Sequence, residues 1–502
     1  MNTNKYSYMG VVMSTRSEPA SRWTVLTIAF GTFMCSFDLN AVNMALPLIQ
    51  AHFRASTAMV EWVVVAYLLV LSASLLGFGR LADMMGHKKI YLAGAFAFVA
   101  SSLLCALSVT MEWLIAYVAV QGLAAAMMMS SSNAIIVSAV PASGRGRALA
   151  FNAVAVALAS CAGPALGGLI ASSSLGWQGV YLVNLPLGLA VAALTAGLVR
   201  EGERNPNARF DSKGCLLVAG LLVAAILPLD LMSNGAAGPL ALGLIFAAAV
   251  LAVAVLAATL VFVERRSAQP ILDLGLFKNR IFVAGNAAAT AFYVSEFALV
   301  FAAPFFLQRF EGLTPTAAGL AMLPMSLALM ATAPIAGAFS DRIDGRVLGC
   351  AGMIIVALSE LAFGFRVVQG DALARLAAFA GLGIGTGLFT APNNSAVMGS
   401  APADRRGVAG ATLATMRNVG MVLGEAIAAM LLGAIMGARG SKLGDAAGGA
   451  GWAASFEAAM QVVCCVAAAF ALLAAALAAL RSPVANGMAA RSIAAGSEPG
   501  TR

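Results

Sequence analysis

Two acidic residues, Asp38 and Glu296, lie deep within apolar stretches and sit 258 positions apart. A carboxyl group near the middle of a membrane-crossing helix costs about 2.5–3.5 kcal/mol on insertion scales, so such a residue must face protein or water, where taking up and releasing a proton is the chemistry open to it. Tyr293 precedes Glu296 by one helical turn and shares its face. Arg417 and a third acid, Glu425, fall in one later apolar run, about 80° apart around a helix, and need not pair with each other. Asp38, Glu296, Arg417 and Glu425 are the candidates for proton coupling. Glu360 and Asp230 are weaker ones, expected near the membrane interface. Asn43, Gln121, Tyr293 and Asn393 are the expected polar lining of a substrate cavity, and Met127, Met128, Met129, Met322, Met325 and Met330 add soft, adaptable surface.

Other chemistries lack their residues. There are two histidines, His52 and His87, and no H-E-x-x-H, G-x-S-x-G or phosphate-binding glycine signature, so an enzyme or an ATP-driven pump is not expected. The seven cysteines fall within or beside apolar runs in no metal-ligand spacing and are expected as free thiols, with no metal and no cofactor.

The elements that must position these residues follow from composition. Of 502 residues, 61% are hydrophobic and 10% charged, more apolar surface than a soluble core hides. Fourteen apolar runs approach the roughly 20 residues that a crossing needs, which gives an all-α polytopic membrane protein. The expected order is a tail over 1–22, a six-helix bundle over 23–199, linkers and two extra helices over 200–280, a second six-helix bundle over 281–480, and a disordered tail over 481–502. No cleaved signal peptide is expected before the first run. An even number of crossings puts both ends on one side. That side takes 23 of the 30 Lys and Arg residues, so the termini are expected in the cytoplasm. The net charge of +8 is thereby spread over many short loops and leaves no continuous basic face for nucleic acid.

The halves repeat. Asp38 pairs with Glu296 and Gln50 with Gln308 at one offset, and the basic loop Gly79-Arg80-Leu81-Ala82-Asp83-Met84-Met85-Gly86-His87-Lys88-Lys89 has an imperfect copy from Gly337 through Asp341 and Arg342 to Arg346. That loop resembles the signature between helices 2 and 3 of the major facilitator superfamily. Asp38-Leu39-Asn40-Ala41-Val42-Asn43-Met44-Ala45-Leu46-Pro47, the helix 5 run Gly163-Pro164-Ala165-Leu166-Gly167-Gly168, and Asn184-Leu185-Pro186 extend the likeness to its fourteen-helix drug:proton antiporter branch.

The resemblance implies a secondary transporter in a bacterial inner membrane, exporting small lipophilic, in part cationic, compounds against protons by alternating access. Its partners would be substrate, protons and the bilayer, with no nucleic acid and no obligate protein partner. Gly79, Asp83, Gly86, Lys88, Lys89, Asp341 and Arg342 would form the cytoplasmic gate, with Asp83 latching onto the start of helix 13 and Asp341 onto helix 5 near Arg145 and Arg147. Gly163, Pro164, Gly167 and Gly168 would mark an exporter. The chain departs from the branch at Val118, where relatives carry an Arg linked to proton coupling, and at Asn40, where they carry Thr. An uptake symporter and a transporter-like sensor remain alternatives.

Overall fold

The computed structural model describes residues 18–141, 144–202, 212–233, 239–266, 275–339, 343–402, 405–441, 443 and 450–480, and these are helical apart from short connections. Fifteen α-helices follow one another: α1 Glu18–Phe53, α2 Thr57–Met85, α3 His87–Ala106, α4 Met111–Ala139, α5 Arg145–Ala171, α6 Gln178–Leu182, α7 Asn184–Leu198, α8 Ser212–Ser233, α9 Pro239–Arg266, α10 Arg280–Phe305, α11 Pro315–Phe339, α12 Gly345–Ala362, α13 Ala372–Gly399, α14 Arg406–Ala438 and α15 Ala450–Ala479. Helices suit this sequence because every backbone N–H and C=O is then satisfied within its own segment, as hydrocarbon surroundings demand.

Twelve segments, with α6 and α7 counted together, are long and apolar enough to cross a membrane, and α2 makes thirteen as a pair bent by 50°. The bend falls between Ser72, whose hydroxyl bonds back to the Leu68 carbonyl at 2.6 Å, and Gly77. The fourteenth expected crossing corresponds to α8, which is 22 residues long and apolar over most of its length.

Helices α1 to α7 and α10 to α15 pack in the same internal order. In the first group α1 lies on α5, α2 and α3 on α4, and α3 on α7; in the second α10 lies on α14, α11 and α12 on α13, and α12 on α15. The groups meet along two seams, α5 against α11 and α2 against α14. Of the extra pair, α8 packs on both α2 and α14 while α9 packs on α8. α9 therefore presents Leu244, Val250, Leu251, Val255 and Phe262 outward, as a lipid-facing helix should.

Small residues set how closely these helices approach. A Cβ at Gly163 would fall 2.3 Å from the Asn40 side chain and one at Gly167 2.6 Å from the Ala41 backbone, so this pair faces α1. One residue on, a Cβ at Gly168 would lie 2.2 Å from the Pro315 carbonyl, and a Cβ at Gly319 2.2 Å from the Pro164 carbonyl, so Pro164 and Gly168 face α11. The run Gly-Pro-Ala-Leu-Gly-Gly thus gives α5 two close-packed faces, one toward each half.

Candidate transport site

Asp38 sits in α1 and is 1% exposed. Its Oδ1 accepts a 2.5 Å hydrogen bond from Nδ2 of Asn184 at the head of α7, and Gln121 of α4 adds a second amide. Ser102 of α3 ties the amides together, with its Oγ 2.8 Å from the Gln121 amide nitrogen and 3.4 Å from that of Asn184. One acid is thus surrounded by three neutral side chains from three other helices of its own half. Val118, the departure in α4, is packed in the same core.

Glu296 of α10 is held inside the other half. The Thr386 hydroxyl of α13 donates to its Oε1 at 3.3 Å, and its side chain borders a small cavity with Leu299, Met322, Met325, Phe379 and Leu382. Glu360 is not interfacial as expected: it is wholly buried in α12, and the neighbouring Ser295 hydroxyl donates to its Oε1 at 2.7 Å. Small residues on α12 and α13 draw the helices together at Gly352 and Gly385 and so carry Glu360 into the bundle. Asp38 and Glu296 thus each bond within their own half. Asp230 lies outside the described side chains.

The remaining candidates gather nearer the boundary between halves. Glu425 of α14 is fully buried and faces Asn43 of α1, neither side chain reaching hydrogen-bond geometry. Arg417, two turns earlier in α14, reaches the Tyr293 hydroxyl of α10. Gly420 and Gly424 let α14 press against the α10 backbone at Thr290 and Val294, which brings Arg417 and Tyr293 together. Gln121 and Asn393, expected in the cavity lining, are buried within their halves instead.

The loop between α2 and α3 lies at the end of the molecule that the charge bias of the sequence predicts to be cytoplasmic, called the inner end. Gly86 has φ +107°, which side-chain-bearing residues rarely adopt, and a Cβ there would strike the Glu201 carboxylate. Asp83 pairs with His87 at 3.3 Å and Arg80 at 3.7 Å, and Lys88 Nζ donates to the Ala196 carbonyl at 2.9 Å. Lys89 is exposed, and Gly79 faces Ser130. Asp341 and Arg342 lie outside the described residues.

The two ends of the α5–α11 seam differ. At the outer end the Thr316 hydroxyl donates to the Gly168 carbonyl at 3.3 Å, the Thr316 N–H to Ser172 Oγ at 3.1 Å, and, further in, the Ser326 hydroxyl to the Ser160 carbonyl at 3.4 Å. The Gln308 amide donates across the halves to the Met44 carbonyl at 2.9 Å. Toward the inner end the continuations of those faces reach Ala153 and Met330, both exposed. The seam is closed outside and splayed inside.

Known proteins share this sequence and arrangement. The riboflavin transporter RibZ of Clostridioides difficile is 31% identical over 407 residues, covering 81% of this chain and 87% of that protein. The multidrug resistance protein Stp of Mycobacterium tuberculosis is 31% identical over 422 residues, covering 83% and 76%. The tetracenomycin C resistance and export protein of Streptomyces glaucescens is 30% identical over 420 residues, covering 82% and 76%. The crystal structure of a D-xylose–proton symporter superposes with a TM-score of 0.64 over 93% of this chain and 99% of that one, at 14% identity. That of an inward-facing bacterial homologue of the human lysosomal transporter Spinster gives 0.62 over 92% and 97%, also at 14%, a likeness of fold. The family model described as Major Facilitator Superfamily matches residues 28–425, and with the shared packing of two six-helix halves this makes the chain a multi-pass membrane transporter of the Major Facilitator Superfamily, related to its drug-efflux branch.

Proposed function

We propose that this transporter exports small lipophilic compounds, cationic ones among them, from the cytoplasm in exchange for protons, and that it does so in the inner membrane of a bacterium with both termini cytoplasmic. The observation that carries the reading is the setting of Asp38, a carboxyl buried at mid-helix among Asn184, Gln121 and Ser102, none of which brings a compensating charge. A carboxyl so placed binds a proton from one side and yields it to the other as the seams open and close in turn. One proton crossing 100 mV releases about 2.3 kcal/mol, enough for a roughly fifty-fold gradient of a neutral compound. Export is favoured over uptake by Gly163, Pro164, Gly167 and Gly168, the helix 5 pattern of exporters, and by relatives named for drug resistance and export.

The test is ethidium movement in everted vesicles carrying the full chain, driven by an imposed pH gradient. Gradient-dependent accumulation that Asp38→Asn removes while expression holds supports the reading; undiminished accumulation in Asp38→Asn, Glu296→Gln and the double variant defeats it. A second reading, proton-linked movement of a metabolite such as riboflavin, is favoured by the RibZ relative. Riboflavin counterflow in right-side-out vesicles, with no ethidium transport, would establish that reading instead.

A further inference from the structure

We propose that Glu360 is a second proton-carrying residue, joined with Glu296 through the neighbouring positions 295 and 296 of α10 into one two-carboxyl site inside the C-terminal half. Its effect on transport rests on the proton-exchange reading above; its titration does not.

The surroundings of Glu360 satisfy neither of its fixed charge states. Oε1 accepts from Ser295, while Oε2 is buried and has no partner. Were the group permanently ionised, Oε2 would be an unsolvated anionic oxygen in an apolar bundle; were it permanently protonated at Oε1, that O–H would donate to the Ser295 hydroxyl oxygen, but Oε2 would still be left without a donor. A side chain kept for packing alone would not be left so in both states. A group that changes state with a transient partner would be. Glu296, the other member of the pair, borders a cavity with about the volume that one water needs, although Glu360 itself does not line it.

The groups facing the pair from each packed element are few. Cys464 of α15 stands near Glu360 as a free thiol, Thr386 of α13 donates to Glu296, and α11 supplies Met322 and Met325. On α10, Tyr293 stands near Glu296, with Arg417 of α14 on its far side. The Arg417 guanidinium is taken up with Tyr293 and does not bridge the carboxyls. At the 258-residue offset Glu360 corresponds to Ser102, so one half has a hydroxyl where the other has a second acid. Each turnover would then move two protons through the C-terminal half, one per carboxyl, both entering from outside and leaving to the cytoplasm.

The experiment is infrared difference spectroscopy of the full chain in liposomes, recorded between about pH 5 and about pH 9, in the carboxyl stretching region. Glu360→Gln should remove one titrating carboxyl band that wild type shows. Ser295→Ala, which keeps both acids, should shift that band without removing it. Superimposable spectra of wild type and Glu360→Gln overturn the proposal; if Glu360→Gln does not fold, a band unmoved by Ser295→Ala does so. With ethidium at a fixed pH gradient, the limiting ratio in Glu360→Gln should fall to about the two-thirds power of the wild-type ratio, as three proton-carrying carboxyls become two, and an unchanged ratio overturns the coupling. Absence of gradient-driven ethidium movement in wild type would instead defeat the exporter reading and leave the spectra to decide for Glu360.

Discussion

The two halves share one packing order and solve one problem differently. Around Asp38 the N-terminal half places two amides and a hydroxyl; around Glu296 the C-terminal half places two hydroxyls and another acid. A lone acid among amide and hydroxyl dipoles and a pair of acids, one of which keeps a buried oxygen without a partner, are two different ways of housing a group that takes up and releases a proton. Repetition of fold therefore leaves room for division of labour: a bundle can keep its helix contacts while its buried polar residues are exchanged in place.

The comparison breaks most sharply at the acids. Asp38→Asn should cut pH-gradient-driven ethidium transport by at least about tenfold, whereas Glu296→Gln should retain a measurable gradient dependence because Glu360 remains. Equal loss in the two variants, in the same vesicle assay, would make the halves equivalent after all.

The seam offers the next contrast. Gly168→Ala puts a methyl group against the Pro315 carbonyl at the closed outer end and, as overpacking, should cost about 1–3 kcal/mol, shifting the population toward an open outer face by roughly five- to more than a hundred-fold. Gly337→Ala at the splayed inner end meets nothing within 4 Å and should change little. Labelling of single cysteines at the outer end of α11 reads both.

Two glutamines at equivalent positions sharpen it further. Gln308→Ala removes the donor to Met44 and should weaken outer closure by about 0.5–1.5 kcal/mol, while Gln50→Ala, whose amide is buried without partners, should be neutral or slightly stabilising. Thermal melting of the purified variants distinguishes them.

The last contrast concerns how the equivalent helices α3 and α12 begin. α3 starts after Gly86 with no side-chain cap, whereas Asp344, at the corresponding position, accepts from the Arg346 N–H at 2.9 Å and caps α12. The Arg346 guanidinium and backbone N–H hold the Asp344 carboxyl below its ordinary range. A lowered folded-state value means that the stabilisation is present at neutral pH and is lost as pH falls through it. Asp344→Ala should then cost about 0.5–2 kcal/mol near neutrality and progressively less in acid, read as melting temperature against pH.

The sequence made the repeat legible because Asp38 and Glu296, Gln50 and Gln308 recur at one offset beside apolar runs, and periodicity survives divergence of the residues between. It did not reveal which way each carboxyl points, since helices apolar on all sides have no solvent face from which direction can be read. Glu360 was misjudged for that reason, although the same offset lands on Ser102, a member of the Asp38 network, and would have flagged it. Asn184 was visible as part of a motif but not as the partner of Asp38, a contact 146 residues away. The place of α8 between α2 and α14 was likewise not legible, because an apolar run does not say which neighbours it packs on.

The position of α8 has a consequence for how cargo reaches the transporter. A compound dissolved in the bilayer can approach two lateral gaps between the halves, and α8 lies across one of them, bridging α2 and α14 with α9 behind it. The α5–α11 gap, splayed at its inner end, has no such cover. Among the described residues, the extra helix pair thus covers one of the two lateral seams between the halves and leaves the other bare, so the two sides of the molecule are unequal toward the bilayer.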